Sequence, residues 1–335
     1  MAANEGPNVF DGSQFDAVTL TERVTKIPHV PGRIGELGIF QTAGIRTTDL
    51  RITLTDKKLA LLPYGERGGP DTIMNSDKRR SVRVETAHFT LKRTITPSEI
   101  QNVMNAAEDD LVTNAMSVVD EKAADMVPTH DATLEFQRLG AMRGILLDSD
   151  GQTIVEDFFD RFKLTPQSLD FELDNVNTDV RRKCLDAKGM IEANLGGGSY
   201  TVIRALVGSE FFRAFISHPS VVRSWERYQE GTMLRNDVRY SGFEYGGIFW
   251  EEYRGKVAGI DFVEEEEAHI YPIGVNGMYI TRFAPADMME FVNTVGKPRY
   301  MSMERKDHGR GYEVLTESDP ISVNTRPDAT LKGTK

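Results

Sequence analysis

Between Arg51 and Arg93 the chain carries a hairpin too long to stand by itself. Ile52 and Leu54 alternate with polar neighbours on the way out; Val82 and Val84, then Phe89 and Leu91, alternate on the way back. The tip holds Pro63, Gly65, Gly68, Gly69 and Pro70, followed by Asp77-Lys78-Arg79-Arg80. A two-stranded ribbon of this length is marginal in water, so it needs a surface to lie on. Charge narrows what that surface is. The segment has ten Lys/Arg against five Asp/Glu, a surplus of five, on a chain whose net charge is −11; everything outside it therefore carries −16. A basic arm on an acidic body fits a segment that lies on another copy of the same chain. The apolar parity shifts between Val82/Val84 and Phe89/Leu91, which predicts a bulge or bend near residues 85–88.

A chain of 335 residues favours about two domains and can bury about three quarters of its unfolded surface. Hydrophobic content of 39% and charged content of 27% are those of an ordinary globular protein. The single cysteine, Cys184, excludes an intramolecular disulfide framework and fits a reducing compartment. Residues 1–16 show neither a basic n-region nor an apolar core, so no secretory signal is expected. No apolar run approaches the roughly 20 residues that cross a bilayer. The expectation is an intracellular soluble protein with no membrane partner. The acidic balance argues against a groove that wraps nucleic acid, since such proteins neutralise phosphates with Lys/Arg clusters. It would suit a protein held close to packed DNA without adhering to it.

Residues 1–48 are polar and punctuated by Pro and Gly, which reads as an extended arm with one short helix. Thr96-Pro97-Ser98-Glu99 then places Thr at the N-cap, Pro at the first helical position and Glu three residues on, a capping box. Apolar residues recur at Val103, Ala107, Leu111, Ala115, Val118/Val119 and Ala123. Met126 and Val127 close the run, and Pro128 is expected to stop it. Unbroken from 97 to 126, such a helix would span roughly 45 Å at about 1.5 Å per residue. A second helix is expected from Thr129 to Met142, then a tight hairpin across Ile145 to Val155 turning at Asp150-Gly151.

The remainder reads as mixed α/β. Helices are expected at Asp179 to Asn194, Ser209 to Ile216 and Pro219 to Tyr228; strands at Thr201 to Val207, Gly247 to Tyr253 and His269 to Ile273. Further strands are expected around Tyr300 to Met303, Tyr312 to Leu315 and Ile321 to Val323.

No catalytic constellation emerges. Asp148-Ser149-Asp150-Gly151 resembles the start of a calcium loop, but Thr153 stands where Gly is required and Phe159 where a bidentate Glu is required. Gly196-Gly197-Gly198-Ser199 precedes a strand, whereas a phosphate loop follows one and carries a Lys. The six histidines (29, 88, 130, 218, 269, 308) lie far apart in sequence, with no HExxH pair. His130-Asp131 reads as helix-start residues, and Cys184 as a small buried apolar residue without a partner. Glu264 to Glu267 reads as a solvated loop, with contact to a basic partner as the alternative. The aromatics from Gly242 to Tyr253 read as a core strand and not as a base-stacking platform, given the acids beside them.

Several stretches converge on one family. Thr129-His130-Asp131-Ala132-Thr133-Leu134-Glu135, Leu139-Gly140-Ala141-Met142-Arg143-Gly144-Ile145 and Asp148-Ser149-Asp150-Gly151 resemble the central segment of the lambda-type phage major capsid proteins, the phage major capsid protein E family. Phe211-Phe212, His218-Pro219 and Tyr240 to Tyr253 resemble its next block. Ala268 to Phe283, Pro285-Ala286-Asp287, Val292-Asn293-Thr294, Gly296-Lys297-Pro298 and Ser318-Asp319-Pro320-Ile321 resemble its closing block.

The resemblance implies an α+β fold of the Hong Kong 97 type. It implies an N-terminal arm (1–48) and an extended β-hairpin loop (49–95). A peripheral domain would comprise 96–165 plus 296–335, with a spine helix at 97–126, and an axial domain 166–295. It implies a major capsid protein of a tailed double-stranded DNA phage, forming hexamers and pentamers of an icosahedral head, in the virion after assembly in the host cytoplasm. Scaffold, portal and decoration proteins are the implied partners besides further copies of itself, and the enclosed DNA is bound without sequence specificity. No enzymatic activity, cofactor, metal or cross-linking residue pair is implied. Expected inter-subunit contacts are Arg67, Lys78, Arg79, Arg80 and Arg83 on the hairpin, and Glu264, Glu265, Glu266 and Glu267 on the acidic body. The rival readings are an encapsulin-like compartment shell around enzyme cargo and, in the enzyme class, an acidic metal-dependent hydrolase.

Overall fold

The computed structural model describes residue 10 and residues 12–27, 32–55, 79–102, 111–228, 242–257 and 260–335; side chains at 53–55, 79, 80, 102, 111–114, 225–228 and 257 are left aside. The chain divides into two compact units. One is drawn from 1–50, 83–135 and 281–322, the other from 51–82, 136–280 and 323–335.

The first unit is built on an antiparallel sheet with Tyr312–Ser318 in the middle, Tyr300–Arg305 on one side and Phe89–Ile95 on the other. Two helices cover it. Ala17–Lys26 buries Leu20, Thr21 and Val24, the one-face spacing of an amphipathic helix. Thr21 fixes it to the sheet, its Oγ1 accepting the Met301 N–H at 3.1 Å. The second cover is the helix Leu111–Arg143, whose Ala115, Val118, Val119, Ala123, Met126 and Val127 join Leu20, Val24, Ile95, Met301 and Val314 in one core. The short helix in the expected N-terminal arm is therefore a core element. A further three-stranded sheet orders Gln41–Gly44, Tyr279–Phe283 and Pro320–Asn324.

The spine differs from the expected 97–126 rod in two ways. The capping residues do meet, since Glu99 Oε2 accepts the Thr96 N–H at 2.8 Å. Its other oxygen, however, receives Lys122 Nζ at 2.8 Å. On a straight helix those residues would be about 35 Å apart. Helix Pro97–Asn102 therefore lies beside Leu111–Arg143 and is not its collinear start. Lys122, with the Thr96 N–H, holds the Glu99 carboxyl down at about 2. The second correction is that Pro128 does not end the helix, which continues for 33 residues to Arg143. An interior proline removes one hydrogen bond and crowds the preceding turn, at a cost of about 3 kcal/mol. Burial before it (Ala123, Met126, Val127) and after it (Leu139, Ala141, Met142) offsets that cost.

The second unit has a six-stranded sheet in the order Gln167–Asp170, Leu331–Thr334, Glu267–Ile273, Val202–Val207, Ile248–Glu252, Phe243–Tyr245. Val202–Val207 runs parallel to Ile248–Glu252 and antiparallel to Glu267–Ile273. The aromatic run from Gly242 to Tyr253 thus forms a hairpin within this sheet. Trp250 is fully buried against Phe215, Phe171 and Phe211, with ring centres 4.2, 5.6 and 6.1 Å away. Helix Val180–Leu195 is capped by Asp179, which accepts the Arg182 N–H, and ends at Gly196 in the left-handed conformation. Its buried stripe includes Cys184, whose thiol burial pushes up and keeps protonated.

The hairpin after the long helix pairs Ile145–Leu147 with Ile154–Asp157. Its connection is wider than the two residues expected: Asp148 N–H reaches Thr153 O at 2.8 Å, and Asp150 accepts the N–H groups of Gln152 and Thr153. Residues 136–165 and 323–335 belong to this second unit, whereas the expected peripheral domain included both. The terminal strand Leu331–Thr334 sits inside the sheet, between Gln167–Asp170 and Glu267–Ile273.

Candidate functional site

The basic hairpin leaves the chain as a two-stranded ribbon of Asp49–Thr55 and Arg79–Glu85. Arg67 and Lys78 lie outside the described residues, as do the side chains of Arg79 and Arg80. Arg83 is exposed but engaged within the ribbon: its Nε and Nη2 lie 3.0 and 3.2 Å from the two carboxylate oxygens of Asp49.

At Glu85 the ribbon ends, and at Phe89 the chain enters the core sheet opposite Ser318. The three residues between are the bend that the parity shift predicts. Thr86 binds the Thr48 carbonyl through both its N–H and its hydroxyl, at 3.0 Å each. Ala87 N–H donates to Pro320 O at 3.0 Å. His88 places Nδ1 2.7 Å from Asp319 Oδ1 and 3.6 Å from Glu317 Oε1.

The motifs of the closing block meet at this bend. Asp287 N–H donates to Glu317 Oε1 at 2.7 Å, Ala284 N–H to Asp319 O at 2.9 Å, and Ser318 Oγ to Pro298 O at 2.7 Å. Glu317 and Asp319 are both buried. Burial and the neighbouring Glu317 push the Asp319 carboxyl up to about 7, against the pull of His88. For His88, burial works downward, and Asp319 and Glu317 outweigh it to leave a net rise. Residue spacing gives no hint of this trio, because His88 and Asp319 are 231 residues apart. The one available signal was Ser318-Asp319-Pro320-Ile321 standing among the family motifs.

The central motif is also positional chemistry. His130, Asp131 and Glu135 sit within the long helix and not at a helix start, and each reaches a distant segment. His130 Nε2 lies 2.9 Å from Thr316 Oγ1. Asp131 Oδ1 accepts Arg299 Nη2 at 2.6 Å, while Arg299 Nη1 donates to Ile27 O at 3.1 Å. Glu135 accepts the N–H groups of Ile34 and Gly35 at 2.6 and 3.2 Å, closing the start of the short helix Arg33–Glu36. These side chains fasten the N-terminal segment and the closing strands to the spine.

Glu264, Glu265 and Glu266 form an exposed turn over the start of helix Ser209–Ser217. The Glu265 carbonyl accepts the N–H groups of Glu210 and Phe211 at 3.0 and 2.9 Å. The turn lies so close to Gly208 that a Cβ there would strike the Glu264 carbonyl. It is the main chain of the run, and not its carboxylates, that meets the start of this helix. Glu267 differs from the other three: it begins a strand and pairs with Lys332.

Two buried histidines set an acid limit on stability. Burial lowers His130 with help from Arg299, and lowers His269 strongly with help from Arg143 and Lys332. Each binds its proton less readily folded than unfolded, so the stability it contributes is full above 6.5 and lost as pH falls below it. Between about pH 7.5 and about pH 5.5, His269→Gln should lose less stability than the parent chain, by up to about 1.4 kcal/mol per pH unit below the unfolded pKa. Urea unfolding at both pH values tests this, and parallel losses in the two proteins would refute it.

Residues 16–335 match the profile of the family described as phage major capsid protein E. The chain belongs to that family. It is 30% identical to the major capsid protein of Pseudomonas phage KPP10, over 96% of this chain and 97% of that one. It is 26% identical to the major capsid protein of Salmonella phage Felix O1, over 94% and 95%. In fold it is similar to a candidate capsid protein of an Escherichia coli CFT073 prophage, with a TM-score of 0.50 and 14% identity over 77% of this chain and 79% of that one. The α+β arrangement is that of the Hong Kong 97 fold, and the chain is a phage major capsid protein. The family and both relatives favour a phage shell over a cargo-enclosing compartment. Among the described residues no helix is long and apolar enough to cross a membrane.

Proposed function

We propose that this subunit closes, as hexamers and pentamers, into the icosahedral head of a tailed phage around double-stranded DNA that it holds without reading its sequence. Its work is association and not turnover. Assembly takes place in the host cytoplasm, with scaffold, portal and decoration proteins as further partners. The arm (1–48) and hairpin (49–95) are the parts that overlap neighbours, and the units carrying the spine helix and the six-stranded sheet are the peripheral and axial parts of the tile.

One observation carries this reading: a net-basic ribbon, among the described residues a sheet of only two strands, on a subunit whose remainder is strongly acidic. Such a ribbon gains stability by lying on a neighbour, and the charge split sets its register more than its net affinity. Arg67, Lys78, Arg79 and Arg80 are the proposed donors. The exposed Glu264, Glu265 and Glu266 are acceptors on the next copy, while Arg83 and Glu267 are already held within their own chain. Exposed Met289, Val292 and Val295 add an apolar strip that suits a neighbour's surface.

Reversing Lys78, Arg79 and Arg80 to Glu should abolish or sharply reduce closed shells in electron micrographs while the circular dichroism of the isolated subunit is unchanged. Shells of normal number and size from the triple variant would refute the contact. Adding salt should slow assembly of the parent chain, because exposed charge pairs are screened within about 8–10 Å at physiological ionic strength.

A further inference from the structure

His88, Glu317 and Asp319 each offer one ligand atom, and those atoms lie within 4.8 Å of one another. The two carboxylate side chains are only 3% and 6% exposed, whereas the imidazole is 53% exposed. Among the described residues neither carboxylate is ion-paired with a lysine or arginine. Asp319 Oδ2 is buried without a hydrogen-bond partner. Two buried carboxylates side by side, with one half-exposed histidine as the side chain of opposite charge facing them among the described residues, are a costly arrangement unless a cation or a proton joins them.

The groups are also held in place. Glu317 is fixed by the Asp287 N–H, Asp319 by its main-chain bond to Ala284, and His88 by the bond from Ala87 to Pro320. Ligands oriented by their surroundings in this way mark a prearranged site.

We propose that His88, Glu317 and Asp319 form a divalent-metal site for a first-row transition ion, zinc foremost, with water completing the coordination on the exposed side of His88. An imidazole nitrogen beside two carboxylate oxygens suits zinc or manganese, whereas calcium and magnesium take oxygen donors alone. A bound ion ties the bend 86–88 to the strand Tyr312–Ser318 and so fixes the direction in which the hairpin leaves the core. Binding stands independently of the assembly role proposed for the hairpin; only the consequence for assembly rests on it.

The test uses the full-length purified subunit, equilibrated with zinc chloride, desalted, and assayed by atomic absorption, with affinity read by competition against a chromophoric chelator. About one zinc should be retained per subunit. His88→Gln and Asp319→Asn should each weaken binding by at least about tenfold, since loss of even an outer supporting group costs about 10–100-fold. His88 is half exposed, so His88→Gln should fold normally, which circular dichroism checks. Retention of no zinc overturns the site, as does an unchanged affinity in His88→Gln. Displacement of zinc by equimolar magnesium overturns the assigned metal class. If zinc binds as expected, hydrogen exchange at the amides of Thr86 to Phe89 should slow on zinc addition in the parent chain and not in His88→Gln, whatever either protein does in assembly.

Discussion

Replacing Asp131 with alanine should destabilise the subunit by about 3–5 kcal/mol, the cost of stranding a buried cation by removing its partner. Arg299 and Asp131 have side chains 7% and 6% exposed, and their contact at 2.6 Å joins the long helix to the segment before Tyr300–Arg305. Arg299 also holds the Ile27 carbonyl, so its displacement would loosen the end of helix Ala17–Lys26. A loss of that size is a large fraction of the roughly 5–15 kcal/mol that keeps a domain folded. Chemical denaturation of the single variants measures it. The double variant Asp131→Leu with Arg299→Met should recover much of the loss, because replacing both charges with apolar groups leaves no buried charge unpaired, although the Ile27 carbonyl loses its donor. A single variant within about 0.5 kcal/mol of the parent would show that the pair is not energetically closed off from solvent.

Trp250→Ala should cost about 3–5 kcal/mol by leaving a cavity at the centre of the second unit's aromatic core. The indole packs against Phe215, Phe171 and Phe211 and donates Nε1–H to the Tyr245 carbonyl at 3.1 Å. Trp250→Phe should cost less, since most of the ring volume is kept and mainly the hydrogen bond is lost. Denaturant unfolding followed by hydrogen exchange locates the effect. Protection should fall in Val202–Val207 and Ile248–Glu252, the strands that share this core. Protection loss confined to Tyr300–Arg305 and Tyr312–Ser318 instead would refute the assignment.

Much of the second unit was legible residue by residue. Asp179 and Gly196 bracket a helix because a short acceptor satisfies its first N–H groups and a glycine takes the left-handed exit. The same local logic gave the capping box at Thr96–Glu99 and the bend before Phe89. Pro128 misled because its local penalty is real, and only burial along the rest of Leu111–Arg143 outweighs it. The fold-back of Pro97–Asn102 was invisible for a similar reason, since the decisive Glu99–Lys122 contact is made by a side chain 23 residues away.

The sequence by itself determined the charge split between a basic hairpin segment and an acidic remainder, and the ordered motifs of a capsid family. Tertiary structure alone decided what the motif residues do. It turned His130, Asp131 and Glu135 into ties between distant segments, and it placed Leu331–Thr334 inside a sheet of the second unit. It also brought His88 onto Glu317 and Asp319 at the root of the ribbon. The physical reason is that local propensity depends on neighbours along the chain, whereas burial and charge pairing depend on neighbours in space, which spacing in one sequence does not encode.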